Sequence, residues 1–545
     1  MTSIFEVDEI YRTILQYCDR PTLVRLARTS KLLSEVPLDL LWENLEAFSH
    51  LLRTFPSNLI TWDASERAQP KPTVNYLIVP RDWNRFTSYA RRVKTWSPED
   101  LAYIEEPVVD HIAFGRNPEY ILPNLTHIEV MATTVSGVHL QTLILCPTLE
   151  SVTIWNATPT SQTTRSMNAF FRTLADRAHN LRKLTVHWGD GDVVSAPFVN
   201  GLSEVFSQGN SALNSVNLWS PECIDARGFS LLAKLPCLTT LHLNLINTDD
   251  ASKICSEVRS RTDAFPSLQN LFLAGLVEEF PKMLHVFGNS PGMVSLGFSV
   301  RKYPMSSHLI QLFTFVASNF PYLRIMQFNV PKEEINIQLA NRLYYMDPDS
   351  YLQDITVLQP LLDMQSLVAV HLELGVPLHL SDIDLITIAS AWPAIEVLNL
   401  CSDPYCERTR TAQPLATVQG LFAVASACPS LKHLALFLDC TTGFSENVLA
   451  NADVVSRTLI NLDVGRSWVV EPSLVAALLS GVFPALKVFE WAGMDTSSSQ
   501  VSDRASGHAA SWRQVFDLLP IFRAVRANER RSRKVEITEC VMNVD

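Results

Sequence analysis

At 545 residues, 47% hydrophobic and 18% charged, the chain has the composition of a folded, water-soluble protein rather than a disordered one. Its 44 basic and 56 acidic side chains leave a net charge of −12, so on average it repels nucleic-acid backbones, and no nucleic-acid partner is expected. The opening from Met1 to Glu9 has neither a basic stretch nor a long apolar one, and no apolar run approaches the length of a membrane span; neither a secretory leader nor a membrane anchor is expected. Ten cysteines without regular spacing fit reduced thiols in the cytoplasm or nucleus, which makes the sequons at Asn124 and Asn156 chance matches.

Residues 1–50 carry three short helical patterns. In the first, Ile10, Ile14 and Cys18 recur every four residues beside Leu15, with Asp8 placed as the cap. The second starts at Asp19-Arg-Pro21 and presents Leu23, Leu26, Ala27 and Leu33. The third starts at Pro37 and presents Leu38, Leu41, Trp42 and Leu45. Helices this short are marginal alone, so they must pack on one another or on a partner. Residues 51–120 read as a linker and N-terminal capping region. A plain helical cap would abut the first repeat, and the intervening Trp62–Asn117 stretch argues instead for a module with its own partner.

From Leu125 to Trp491 one phrase, apolar-x-x-apolar-x-apolar, recurs thirteen times, with starts at Leu125, Leu149, Leu181, Leu213, Leu238, Leu268, Met293, Leu323, Leu367, Ile395, Leu431, Leu459 and Leu486. Twelve intervals over 361 residues (486 − 125) give a mean period of about 30, near the leucine-rich repeat range. In nine of the thirteen, proline stands two residues before the first apolar position, as at Pro236, Pro266 and Pro484, where it ends a helix and opens a strand. Helical halves are visible at Met167–Ala178, Leu309–Ala317 and Gly420–Ala427. An insertion between Val330 and Gln365 stretches one interval to 44 residues, and Leu339–Asp349 within it reads as a protruding helix and loop. Residues 121–493 are therefore expected to form an α/β leucine-rich-repeat solenoid of irregular period, resembling the ribonuclease-inhibitor horseshoe, behind a small all-α module. Residues 494–545 read as a flexible loop (Asp495–Ser511), a cap (Trp512–Phe522), and a basic cluster from Arg523 to Lys534 ahead of a strand-like Val535–Ile537.

The N-terminal block resembles the F-box motif. The likeness runs through Asp8-Glu-Ile10, the stretch Leu23–Ser30, and the ending Leu38-Asp-Leu-Leu-Trp42-Glu-Asn-Leu45. The segment Asp82–Val93 is similar to the linker of fungal, especially basidiomycete, F-box proteins with leucine-rich repeats. That family commonly opens with Leu-Pro; here Phe5 or Glu6-Val7 stands near the place. The resemblance implies a substrate-recognition adaptor of an SCF-type cullin–RING ubiquitin ligase. The block would dock on a Skp-family linker subunit, and through it a cullin, by way of Val7, Ile10, Leu23, Leu26 and Leu41, with Trp42 and Leu45 nearer the inner packing. The alternative is a ligase-independent repeat scaffold that binds a protein.

Strand alternation turns the apolar positions of each phrase inward and the residues between them outward, from Glu129, Thr153, Thr185 and Asn217 through His242, Phe272 and His371 to Asp463 and Glu490. Two residues further on, on the same face, stand Trp155, His187 and Trp219. Strands about 4.8 Å apart would bring these into one aromatic patch. Such rings suit interaction hot spots, so Trp155, His187, Trp219, His242 and Phe272 are the candidate substrate contacts on the concave face.

Other patterns point away from chemistry. Gly288-Asn-Ser290-Pro-Gly292 matches G-x-S-x-G, but helix precedes it and strand follows, the reverse of a nucleophile elbow. Cys401, Cys406, Cys428, His433 and Cys440 are spaced too widely for a usual zinc site. Gly189-Asp-Gly191 lacks a third glycine and reads as a turn. No catalytic residue, metal ligand or cofactor is expected.

Overall fold

The computed structural model describes residues 8–31, 33–63, 70–115, 119–156, 160–188, 196–207, 212–219, 223–245, 264–288, 290, 292–300, 302–332, 348–351, 353–404, 414–442, 455–492 and 503–542. The chain divides into two compact units, Met1–Leu268 and Gln269–Asp545.

In the first unit, helices α1 (Asp8–Leu15), α2 (Arg20–Thr29) and α3 (Glu35–Trp42) close around Tyr11, Leu15, Leu23 and Val36. The Asp19 carboxylate accepts from the Thr22 amide at 3.1 Å, and Pro21 sits in the first turn, so α2 begins where its sequence allows. The buried stripe of α1 is Tyr11–Leu15, not Ile10–Ile14–Cys18. The two stripes are equally spaced and adjacent, and what separates them is tertiary: the Tyr11 hydroxyl donates to the Leu33 carbonyl at 3.3 Å.

The chain then runs through β1 (Asn44–Leu45), α4 (Phe48–Leu52), an antiparallel hairpin of β2 (Ile60–Asp63) and β3 (Lys71–Val74), α5 (Trp83–Ala90), β4 (Thr95–Trp96) and α6 (Glu106–Gly115). Strand–helix alternation continues as β5 (His127–Met131), α7 (Val135–Ile144), β6 (Ser151–Asn156), α8 (Ser161–Arg177), β7 (Lys183–Trp188), α9 (Ala196–Ser207), β8 (Ser215–Leu218), α10 (Ala226–Leu232) and β9 (Thr240–Leu245). The order β1-β4-β5-β6-β7-β8-β9 is parallel throughout.

The sheet therefore starts at Asn44, well ahead of the first repeat phrase. The helical block abuts the array directly, and Trp62–Asn117 does not hold it apart. The Glu43 carbonyl accepts from the amides of Lys94 and Thr95 at 2.9 and 3.0 Å, and the almost fully buried Arg92 side chain binds Glu35 at 2.7 Å and also Asp39. Phe48, Phe55, Trp83, Phe86 and Trp96 pack ring against ring beneath this junction. Their burial is the reason the segment folds into the array.

The second unit repeats the pattern with β10 (Asn270–Gly275), β11 (Ser295–Val300), β12 (Ile325–Asn329), β13 (Ala369–Glu373), β14 (Val397–Leu400), β15 (His433–Leu436), β16 (Asp439–Cys440), β17 (Asn461–Asp463), β18 (Trp468–Val469) and β19 (Val488–Glu490). The order β10-β11-β12-β13-β14-β15-β17-β19 is parallel, and β16 pairs with β18 beside it. Both units are thus mixed α/β with parallel sheets, and every one of the thirteen phrases contains the residues of a strand.

The turn before each strand explains the recurring proline. The amide of the first apolar residue donates three residues back, Leu323 to Phe320 at 3.1 Å, Ile395 to Trp392 at 3.1 Å, Leu431 to Cys428 at 3.2 Å and Leu486 to Phe483 at 3.3 Å. Proline occupies the second position of that turn, where its φ is favoured. The residue before it must leave the helical region, and Phe320, Trp392, Cys428 and Phe483 cap their helices with ψ of 57°, 64°, 79° and 68°. So proline builds a turn between helix and strand rather than opening the strand itself.

The C-terminal segment departs from expectation. Asp503–Met542 is a single helix that takes in both Asp503–Ser511 and the strand-like Val535–Ile537. Trp512, Val515 and Leu519 are buried, Trp512 Nε1 donates to the Ser467 carbonyl at 2.7 Å, and Arg526 reaches Ser480 and the Ala477 carbonyl on helix Pro472–Val482. A three-residue β pattern does not outweigh the helix-forming Ala, Arg and Glu residues around it. Within the insertion, Pro348–Tyr351 and Ile355–Leu362 are helical, and Leu339–Met346 lies outside the described residues.

Candidate functional site

The sheet face of the first unit brings four of the five sequence-identified contacts together. Trp155 on β6 and His187 on β7 are register partners. Trp219 follows β8 directly and donates its amide to the Val186 carbonyl at 2.9 Å, which sets it beside His187. The Trp155 and His187 rings stack at 3.8 Å with 2° between their planes, His187 and Trp219 lie at 6.0 Å and 6°, and His242 meets Trp219 edge-on at 5.4 Å and 82°. Trp155 is 40% exposed and Trp219 37%. Below them Val152, Ile154, Leu184, Val186, Val216 and Leu218 are fully buried, so the row stands on a rigid base. Desolvation holds His187 below the ordinary histidine range; for His242, desolvation is joined by the positive charge of Lys183. Both imidazoles are neutral near pH 7.

Phe272 lies in the second unit, where its half-buried ring covers Gly297 so closely that a β-carbon there would collide with it. That strand face carries a polar network instead. Asn399 Nδ2 donates to Glu373 Oε1 at 2.6 Å and to His371 Nδ1 at 3.3 Å, Ser402 donates to Asp463 at 2.6 Å, and Arg466 pairs with Asp403 at 2.6 Å. Burial pushes Glu373 up to about 7. Sequence reasoning placed His371 and Asp463 on this face but did not single out Glu373, because nothing local marks a carboxylate as buried.

On the helical block, Val7 lies outside the described residues. Leu23 is buried among Tyr11, Leu15 and Val36, so it holds the block together rather than facing a partner. Leu26 and Leu41 are half-buried against that core. Ile10 is exposed at 48%, and with it Ile14 at 49%, Tyr17 at 89% and Val24 at 41%, three residues that sequence reasoning did not assign to the partner face. Beside Val24, a pocket of about 330 Å³ is lined by Arg20, Leu41, Trp42, Leu45, His50 and Arg53. Trp42 packs against Tyr89 with their ring centres 4.7 Å apart and their planes tilted by 39°, and Leu45 is buried.

Ser290 follows the helix Phe280–Leu284 and precedes β11, and is buried in a turn. Cys401, Cys428 and Cys440 are buried free thiols, all pushed up by burial, Cys428 to about 11. Cys406 and Gly189–Gly191 lie outside the described residues. Among the described residues no group of His, Cys, Asp or Glu could hold a metal ion, and no helix is long and apolar enough to cross a membrane.

No family model matches the chain, and no curated protein matches it. Among solved structures, a chain from the crystal structure of the Rad7 and Elc1 complex in yeast aligns over 92% of this chain and 91% of its own length, at 13% identity and a TM-score of 0.33. A likeness of that size carries no argument about function.

Proposed function

We propose that the protein is a substrate-recognition adaptor of an SCF-type cullin–RING ubiquitin ligase, acting in the cytoplasm or nucleus. In this reading α1–α3 dock on a Skp-family linker subunit and the ring row of the first unit receives the substrate protein. The observation that carries it is the exposed apolar surface of Ile10, Ile14, Tyr17 and Val24 on a block whose sequence resembles the F-box. A helical block with no partner would gain nothing by leaving four large apolar side chains in water. The protein would perform no covalent chemistry itself. Its contribution is proximity, since holding a substrate lysine near a reactive thioester raises the effective concentration.

A ligase-independent scaffold is the second reading, favoured by the direct joining of α3 to the sheet through β1 and Arg92, as expected of an end cap. The test is a pull-down of purified Skp-family linker by the full-length chain and by Ile10→Asp/Val24→Asp. These positions are surface ones, so the fold is retained, which circular dichroism checks. Binding by the parent chain that the variant loses supports the adaptor. Failure of the well-folded parent to bind leaves the scaffold reading.

A further inference from the structure

Four neighbouring strands of the first unit have a polarity opposite to that of the chain. β6 to β9 contain no aspartate or glutamate, although the chain carries a net charge of −12. Their one formal charge is Lys183, which shares its strand face with Thr185 and His187. Lys183 is exposed and makes no ion pair among the described residues, and its charge is felt at His242. The ring geometry adds to this. Trp155 and His187 turn their facing π surfaces to each other at 3.8 Å, which closes those two surfaces to a cation. Thr153 and Asn217 add hydroxyl and amide groups on the same face.

We propose that the ring row takes an acidic segment of its partner protein, with an Asp or Glu carboxylate set beside Lys183 and His242 and a neighbouring apolar side chain against Trp155 or Trp219. This rests on the row being the substrate face. Lys183 supplies the attraction, the hydroxyl and amide donors on the same face complete the carboxylate's hydrogen bonds, and the exposed tryptophans bury the apolar neighbour. A basic segment would meet an unpaired lysine and no counter-charge on these strands, so discrimination comes from repulsion as well as attraction.

The experiment selects short random peptides displayed on phage against the full-length protein, then measures the enriched peptides in solution against the parent, Lys183→Glu, and Trp155→Ala/Trp219→Ala. All three substituted side chains are exposed. The expected result is enrichment of Asp or Glu next to an apolar residue, binding roughly ten-fold or more weaker in Lys183→Glu, as for a lost charge-assisted hydrogen bond, and lost in the double tryptophan variant. Peptides that need both tryptophans but lack acidic enrichment and tolerate Lys183→Glu would overturn the charge inference while leaving the substrate face intact. Peptides indifferent to both tryptophans, or none selected at all, would count against the face itself.

Discussion

Glu373 ends β13 on the sheet face of the second unit, mostly buried, with Asn399 donating to it at 2.6 Å. Burial raises it from its ordinary 4.5 to about 7, the Asn399 bond opposes that rise, and Asp463 and Asp403 reinforce it. The folded state therefore holds the proton more tightly than the unfolded state does. Stability from the neutral acid is fully present below about pH 4.5 and is lost as pH rises through about 7, a difference of about 3 kcal/mol between the limits. Glu373→Gln keeps an acceptor for Asn399 and removes the ionisation. The unit has 277 residues (545 − 268). At about 2.1 cal/mol/K of unfolding entropy per residue, 3 kcal/mol corresponds to about 5 °C in Tm. Thermal unfolding of the full chain near pH 5 and near pH 8 reads this out. The variant should exceed the parent by only about 1–2 °C at the lower pH and by about 5 °C at the higher. An equal gap at both pH values would refute the reasoning. A variant less stable near pH 8 would mean that the carboxylate is ionised and well paired in the fold.

Arg92→Ala strips Glu35 and Asp39 of their shared partner. Because both carboxylates are partly exposed, the loss should be about 2 kcal/mol rather than the full cost of a buried pair. Faster hydrogen exchange in α1–α3 with unchanged protection of β5–β8 is the expected signature; unchanged exchange in α1–α3 would show that the apolar packing alone holds the block. Gly465 has φ of +45°, and a β-carbon there would run into the Ser402 carbonyl, so Gly465→Ala should cost more than about 2 kcal/mol. Gly288→Ala, whose nearest obstacle is the His285 carbonyl at 3.7 Å, should be near neutral. Calorimetry of the two variants compares them directly, and equal cost would discount the backbone argument.

What the sequence determined by itself is the strand ladder. The phrase Leu149-x-x-Val152-x-Ile154 places three fully buried side chains, and its repetition, at intervals averaging about 30 residues, leaves each strand to align with the next. Period-two alternation then forces Trp155, His187 and Trp219 onto one outer face, because register in a parallel pair carries side chains level with their neighbours. The proline offset was legible too, although its role as a turn residue became clear only from the hydrogen bonds behind it.

Tertiary structure decided the rest. Ile10–Ile14 and Tyr11–Leu15 are equally periodic stripes, and only the packing of α2 and α3 chose between them, burying Leu23 and leaving Ile10 and Ile14 outside. The short strands at Asn44 and Thr95 are too brief to show a period, so the start of the sheet came from rings that meet across long sequence separations. The same is true of Glu373, whose proton affinity depends on the desolvation and charges that neighbouring strands bring to it. Patterns of period two and period thirty are properties of the chain. Which of two equal faces is buried, and what a buried charge feels, are properties of neighbours that the chain meets only after it has folded.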